Sequence, residues 1–330
     1  MYSFCPKNRI FLNVSLLLFL IREQLNHGNK FQLKILNMIL ITGATGHFGK
    51  ATIDFLLIKG MTASSISAFV RDEAKAAELK SKGVDFKLGD YDDYSSMVGA
   101  FKGVDKLLLV SASDLMKRSK QQEDAVKAAI EAGVKHILYT SFDRKNETET
   151  SPIAMVAKAH LETEKNIIAS GIPYTIFRNN LYMDGLPMFM GEKVLETGLF
   201  FPAGETKSAF AMRKDMAEAT ANVLISEGHE NKVYAFGNSE NFSFSQIAAI
   251  LSQVSGKNVP YINPDKETYV EALTKAGVPM EYIKIFAGFA EAIKQGEFMS
   301  ESKDLEILIG RKPMTIDEFL KGFYSSKTSS

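Results

Sequence analysis

The sequence predicts an α/β fold: a Rossmann-type doubly wound parallel sheet with a smaller C-terminal substrate lobe. Three features carry that expectation. Short apolar runs alternate with helical segments between Met38 and Arg178, glycines stand where helical segments should stop, and a glycine-rich turn joins the first run to the first helix. Strands separated by helices and short connections pair in parallel through right-handed crossovers. Length and composition agree: 330 residues, 45% hydrophobic and 24% charged, suit a globular chain of one large or two small domains.

Residues 38–42 read as the first strand. Residues 46–58 follow as a helix, with Phe48, Ile53, Phe55, Leu56 and Leu57 at helical spacing and Gly60 ending it. Residues 66–70 are the second strand, and 73–82 an Ala/Lys/Glu helix stopped by Gly83. Residues 84–88 are the third strand, and 92–101 a helix stopped by Gly103. The run Leu107-Leu108-Leu109-Val110 marks 106–111 as a fourth strand, apolar enough to be central and buried on both faces. A helix at 119–132, a fifth strand at 134–140, a long helix at 152–170 and a sixth strand at 172–178 complete the core part. Beyond it the rhythm loosens. Residues 188–197 look helical, 198–212 irregular, 213–227 helical and 232–236 extended; 245–255, 266–277 and 316–324 look helical, with a short extended piece at 259–262. The expected organisation is a core at 38–178, with 179–330 contributing the substrate lobe and a returning helix and strand at 213–237.

The first 37 residues differ from the rest. Lys7 and Arg9 precede an apolar run at 10–21, which imitates a signal peptide, but no small-x-small cleavage site follows. Twelve residues fall short of the roughly 20 that span a bilayer. Met38 opens the first strand, so 1–37 is expected outside the fold, as sequence upstream of a misassigned start or as a membrane-surface anchor.

Charge and cysteine content exclude several functions. Lys+Arg and Asp+Glu are 39 each, a balance unlike that of a nucleic-acid binder. The single cysteine, Cys5, builds neither a disulfide framework nor a Cys-rich metal site, which points to a reducing, cytoplasmic location. His27, His136 and His229 form no ligand-spaced pair, so no metal is expected.

The glycine turn Thr42-Gly43-Ala44-Thr45-Gly46-His47-Phe48-Gly49 is the strongest functional signal. Gly43 permits the tight turn, Gly46 lets a pyrophosphate approach the backbone at the helix N-terminus, and Gly49 lets the helix lie close. A dinucleotide would therefore contact residues 43–49. At the end of the second strand Arg71 stands before Asp72. A guanidinium there grips a ribose 2′-phosphate and favours NADP(H), with Lys75 one helical turn on to assist; Asp72 leaves NAD(H) open. The alternative for Arg71 is a solvated loop charge. Asp90, after the third strand, is placed to accept from the adenine amino group or to cap the next helix, a role Asp92 or Asp93 could equally fill. Ser111, Ala112 and Ser113 are small residues at the carboxyl edge of the fourth strand, where cofactors bind in open sheets, or where packing asks for small side chains.

The segments GATGHFG, FVRDEAKA, GDYDD, KLLLVSAS and ILYTSF resemble atypical short-chain dehydrogenase/reductases of the NmrA-like group. HLETEK from His160, SGIPYTIFRNNLYMD from Ser170 and SEGHENKVYAFG from Ser226 are similar to bacterial NAD(P)H:quinone oxidoreductases of type 2. The resemblance runs from Met38 nearly to the end, through Leu308-Ile309-Gly310-Arg311. It implies an NAD(P)H-dependent quinone reductase, with a homodimer as an option that no helix in the sequence demands. It also implies that Arg178, Asn179, Asn180 and Tyr182 lie against the nicotinamide and the quinone. Phe142, Met183 and Phe200 are candidates for an apolar, planar pocket wall, although each taken alone is better explained as plain core.

The superfamily's usual acid, Tyr-x-x-x-Lys with a serine, is incomplete. None of the 11 tyrosines has lysine four residues later; Lys158 matches the lysine place, but the tyrosine place is Ala154. Ser141 matches the serine place and, with Tyr182, is the catalytic candidate; it, or a water, is expected to donate a hydrogen bond to the developing oxyanion. The loss limits the chemistry. Hydride addition to a simple ketone leaves an alkoxide with a pKa of roughly 15–16, whereas a quinone leaves a phenolate-like anion near about 10. That gap is worth roughly 7–8 kcal/mol, so a site without the phenol tolerates quinones. No flavin is needed, because nicotinamide alone delivers hydride. The other reading is an NADP(H)-binding redox sensor with little or no turnover, or a reductase of a different small substrate.

Overall fold

The computed structural model describes residues 37–328 other than Ser113, with side chains as far as Tyr324. The extension expected over 1–37 therefore lies, but for Asn37, outside the described residues, as does Ser113. The strands are β1 (Ile39–Ile41), β2 (Ile66–Val70), β3 (Asp85–Leu88), β4 (Lys106–Leu109), β5 (His136–Phe142), β6 (Tyr174–Asn179), β7 (Leu199–Phe200), β8 (Lys232–Phe236) and β9 (Tyr261–Ile262). Seven of them form one parallel sheet in the order β3-β2-β1-β4-β5-β6-β8. The longer helices are α1 (His47–Ile58), α2 (Tyr94–Phe101), α3 (Arg118–Ala132), α4 (Ala154–Ala169), α5 (Arg213–Ile225), α6 (Phe244–Ser255), α7 (Lys266–Lys275), α8 (Met280–Lys294) and α9 (Ile316–Thr328).

Burial explains the order. β1 is wholly buried, and Leu107, Leu108 and Leu109 of β4 are shielded on both faces. The polar β3, with Asp85 and Lys87, takes the edge. On one face Phe48, Ile53 and Leu56 of α1 pack with Met216, Val223 and Leu224 of α5. On the other, Met97 and Phe101 of α2 pack with Ala125 and Val126 of α3 and Ile167 of α4. The chain winds outward from β1 to β3 and then crosses back to β4. The first helix after β1 and the loop after β4 therefore diverge, opening the crevice where open α/β sheets bind ligands. Thr42 ties its two sides together: its N–H donates to the Leu108 carbonyl at 3.0 Å and its Oγ1 accepts from Val110 N–H at 2.8 Å.

The C-terminal lobe buries phenylalanine in place of the missing tryptophan: Phe201, Phe210, Phe244 and Phe298 fill its core with Leu186, Val194 and Leu320. β7 lies inside the stretch 198–212 expected to be irregular and pairs with β9, which falls in the extended piece expected at 259–262. The helix expected over 188–197 is two pieces, Leu186–Met190 and Val194–Thr197, broken at Gly191 with φ of +79°. The helix expected over 73–82 begins as a tight turn at Glu73–Ala76, because the Asp72 carboxylate caps Ala74 N–H at 2.9 Å.

The helix α8 has no counterpart in the sequence reading. Its buried face, Ile283, Ala287, Ala290 and Ile293, has helical spacing, but the aromatic side chains of Phe286 and Phe289 around Gly288 blur that stripe. Gly288 has a packing reason: a Cβ there would stand 2.7 Å from the Pro152 carbonyl, so only glycine lets α8 rest on the loop before α4.

His136 at the start of β5 is buried with its Nε2 at 2.9 Å from Thr175 Oγ1. Burial, reinforced by the Lys106 ammonium, pushes its pKa down from 6.5 to about 4. A depressed folded pKa means stability is lost as pH falls from about 6.5 towards 4, where the unfolded chain takes up the proton first. Chemical denaturation across that range should show the loss, and His136→Gln should flatten it.

Candidate active site

A cleft of about 700 Å³ runs along the carboxyl edge from the glycine turn to the C-terminal lobe. At its first end Gly43 adopts φ +58°, and the Gly46 N–H closes onto its carbonyl at 2.9 Å. Gly46 then starts α1 with no side-chain cap and no acidic residue in the first turn, leaving the helix's leading N–H groups and positive dipole end facing the cleft. A Cβ on Gly49 would lie 2.5 Å from the Gly43 carbonyl oxygen, so α1 can approach the turn only without a side chain there. The contact is with the turn rather than with β1. Gly49→Ala should displace the turn and remove most nucleotide affinity; titration of NADPH fluorescence checks this.

Arg71 borders the cleft and forms no ion pair among the described residues, whereas the Asp72 carboxylate is held by its cap. Ser111 and Ala112 line the same wall; Ser111 N–H donates to Thr140 Oγ1 at 2.9 Å. Asp92, which the sequence offers only as a helix cap, also lines it and is fixed by Lys117 at 2.8 Å and Gln121 at 2.9 Å.

The structure brings Gly43, Thr45, Gly46, His47, Phe48, Gly49, Arg71, Ser111, Ala112, Ser141, Asn180 and Tyr182 to this cleft. It places Ala44 beneath the turn in the core. Lys75 is exposed beyond the Asp72 turn. Asp90 spends Oδ1 on the Asp92 N–H at 3.0 Å and does not line the cleft, and the helix cap is Asp93, which accepts from Ser96 N–H at 3.1 Å. Asn179 is buried behind the wall and donates to Tyr182 Oη at 3.3 Å. Arg178 turns away to Glu164, with Nη2 to Oε2 at 2.7 Å.

Glu164 organises the middle of the site. Its carboxyl is buried and receives Arg144 at 3.1 and 2.9 Å, Arg178 at 2.7 Å and the Ser141 hydroxyl. Burial pushes its pKa up, but the hydrogen bonds from Arg144 and Arg178 outweigh that and hold it below the usual carboxylate range. An ionised carboxylate only accepts, so Ser141 donates its single proton to Glu164. That commits Ser141 as an acceptor towards the cleft, contrary to the donor role expected for it. Tyr182 keeps its proton, burial raising its pKa, and lies under the Arg213 guanidinium at 5.1 Å.

The far end is apolar: Phe142, Leu181, Met188, Phe189 and Phe289 line it. Met183 and Phe200 belong instead to the lobe's core packing. His160 and Arg118 also face the cleft, and neither was chosen from sequence. No cluster of three or more His, Cys, Asp or Glu side chains that could hold a metal occurs among the described residues, and no helix there is long and apolar enough to cross a membrane.

Sheet order, switch-point cleft and glycine cradle define a Rossmann-type dinucleotide-binding protein. Residues 36–320 match the NmrA-like family, and the chain belongs to it. It is 38% identical to quinone oxidoreductase 2 of Escherichia coli, over 87% of this chain and 99% of that protein. It is 29% identical to the NAD(P)H azoreductase of Xenophilus azovorans, over 86% and 97%. The crystal structure of the E. coli NADPH-dependent quinone oxidoreductase complexed with NADPH superposes with a TM-score of 0.80 at 36% identity, covering 87% and 100% of the two chains. That of the Citrobacter sp. triphenylmethane reductase complexed with NADP(H) gives 0.79 at 39%, covering 86% and 99%.

Proposed function

We propose that this protein is an NAD(P)H-dependent reductase, with NADPH preferred, that passes hydride directly to a quinone without a Tyr-x-x-x-Lys acid. One observation carries the reading: a single cleft joins the glycine cradle and Arg71 to a wall of Phe142, Phe189 and Phe289. The residues fit the cofactor. Gly49 keeps the turn clear of side chains, the uncapped start of α1 offers N–H groups to a pyrophosphate, and Arg71 offers an unpaired guanidinium to a 2′-phosphate. When bound, NADPH supplies the hydride. The chain's part is to hold the two reactants in one cleft, to exclude water with its aromatic wall, and to stabilise the negative charge that develops on the acceptor oxygen. Nicotinamide chemistry suffices for a two-electron reduction, so neither flavin nor metal enters the reading. The relatives that reduce quinones, azo compounds and triphenylmethane dyes support a planar conjugated acceptor. With Cys5 the chain's single thiol, we place the enzyme in the cytoplasm.

Purified, flavin-free protein should oxidise NADPH when benzoquinone is added and leave it intact with cyclohexanone. Equal rates with both would contradict the argument from acceptor basicity. Tight NADPH binding without quinone-dependent oxidation would instead favour the redox sensor.

A further inference from the structure

Arg118 is electrostatically out of place. It begins α3, where the helix dipole repels a cation, and it is 6% exposed. Its Nη2 donates to the Val156 carbonyl at 2.8 Å and its Nε has no hydrogen-bond partner. Among the described residues no carboxylate pairs with it, although buried charges are normally paired. Arg144 shows the contrast: equally buried, it is met by Glu164. Arg118 nevertheless lines the cleft, as do Gln121, Val156 and His160.

His160 of α4 stands beside it. It is 5% exposed, its ring stacks on Phe142 at 5.9 Å, and its Nδ1 lies 2.8 Å from Tyr139 Oη. The Gln122 amide is oriented by donating to Thr163 Oγ1, so its carbonyl offers Tyr139 only a longer contact of 3.4 Å. The tyrosine proton therefore goes to Nδ1, which puts the imidazole's own proton on Nε2. Burial, with the cations of Arg118 and Arg144 nearby, keeps the ring neutral by holding its pKa well below 6.5.

We propose that Arg118 and the Nε2–H of His160 form the oxyanion site of this enzyme, receiving the quinone oxygen that gains negative charge and so replacing the absent phenol. The inference rests on the quinone-reductase reading. A quinone that accepts a hydride, with its electron pair, becomes a hydroquinone monoanion while the nicotinamide is oxidised. One proton from water then completes the hydroquinone. The cation carries no partner in the resting protein because its partner is that monoanion, which exists only after transfer begins. Neutral His160 holds a hydrogen bond to the oxygen without giving up its proton.

The test compares Arg118→Gln, Arg118→Lys and His160→Gln with the unmodified chain. It reads NADPH affinity, melting temperature, and single-turnover rates with methyl- and chloro-substituted benzoquinones, whose hydroquinone anions differ in basicity. Arg118→Gln should bind NADPH as before and melt no lower, because it removes an unpaired buried charge. It should lose about 100-fold in rate with the methylated quinones, and less with the chlorinated ones. Arg118→Lys should keep most of the rate, and His160→Gln should show the same dependence on the quinone. Weakened NADPH binding at an unchanged rate would overturn the proposal by giving Arg118 to the cofactor, as would equal losses across the quinone series. If the unmodified protein binds NADPH but reduces no quinone, the reductase reading falls and takes this inference with it. If it reduces quinones and the variants match it, only this inference falls.

Discussion

Replacing Glu164 with alanine should destabilise the protein by about 3 kcal/mol, the low end of the cost of breaking a buried ion pair, because Glu147 still faces both arginines. Arg144 has a fully buried side chain whose guanidinium would lose its closer carboxylate and keep only the half-exposed Glu147 at 3.3 Å, and Arg178 would lose its 2.7 Å contact and keep Glu147 at 3.1 Å. For a domain of this size that corresponds to a drop of about 10 °C in melting temperature. The arrangement also has an acid limit. The carboxyl is held below its ordinary value of 4.5, so its contribution is present above that value and is lost as pH falls through the lower folded one. Glu164→Gln should therefore be less stable than the wild type near neutrality and lose less below about pH 4. Thermal melts of both variants across that range check the sign. Because Ser141 donates to Glu164, the alanine substitution, which removes that acceptor, frees its hydroxyl to turn towards the cleft.

Arg71→Ala should weaken NADPH binding by about 10- to 100-fold, the value of one or two charge-assisted hydrogen bonds. NADH binding should hardly change, since it lacks the 2′-phosphate that the guanidinium grips. The exposed position of Arg71 at the rim makes a folding defect a poor explanation for any loss. Parallel titrations with the two cofactors read the ratio directly. A proportional loss for both would mean that Arg71 stacks on adenine rather than binding phosphate.

The parallel core was legible because its signals are local. The strands at Ile66–Val70 and Lys232–Phe236 coincide with their apolar or alternating runs, and Gly43, Gly46 and Gly49 mark the turn by themselves. The substrate end was less legible because it is assembled across long separations. Phe289 comes from a helix whose periodicity is obscured, and Met183 and Phe200, equally plausible in sequence, fall into the lobe's core. Asp90 and Asp92 are indistinguishable by spacing; turn hydrogen bonds decide which one faces the cleft. Ser141 sits where a serine was expected, but its proton is taken by a glutamate 23 residues away. Arg118 did leave a trace, a basic residue in the first turn of a helix, where cations are disfavoured. His160 left none beyond its place in the HLETEK segment, since its role comes from Tyr139 and Phe142.

The most direct test of the central claim is a single turnover without oxygen. Protein loaded with one equivalent of NADPH is mixed with one equivalent of benzoquinone, and NADPH and hydroquinone are both measured. NADPH should disappear and hydroquinone appear in equal amounts, with no flavin present. NADPH that stays bound and reduced while the quinone is untouched would contradict it.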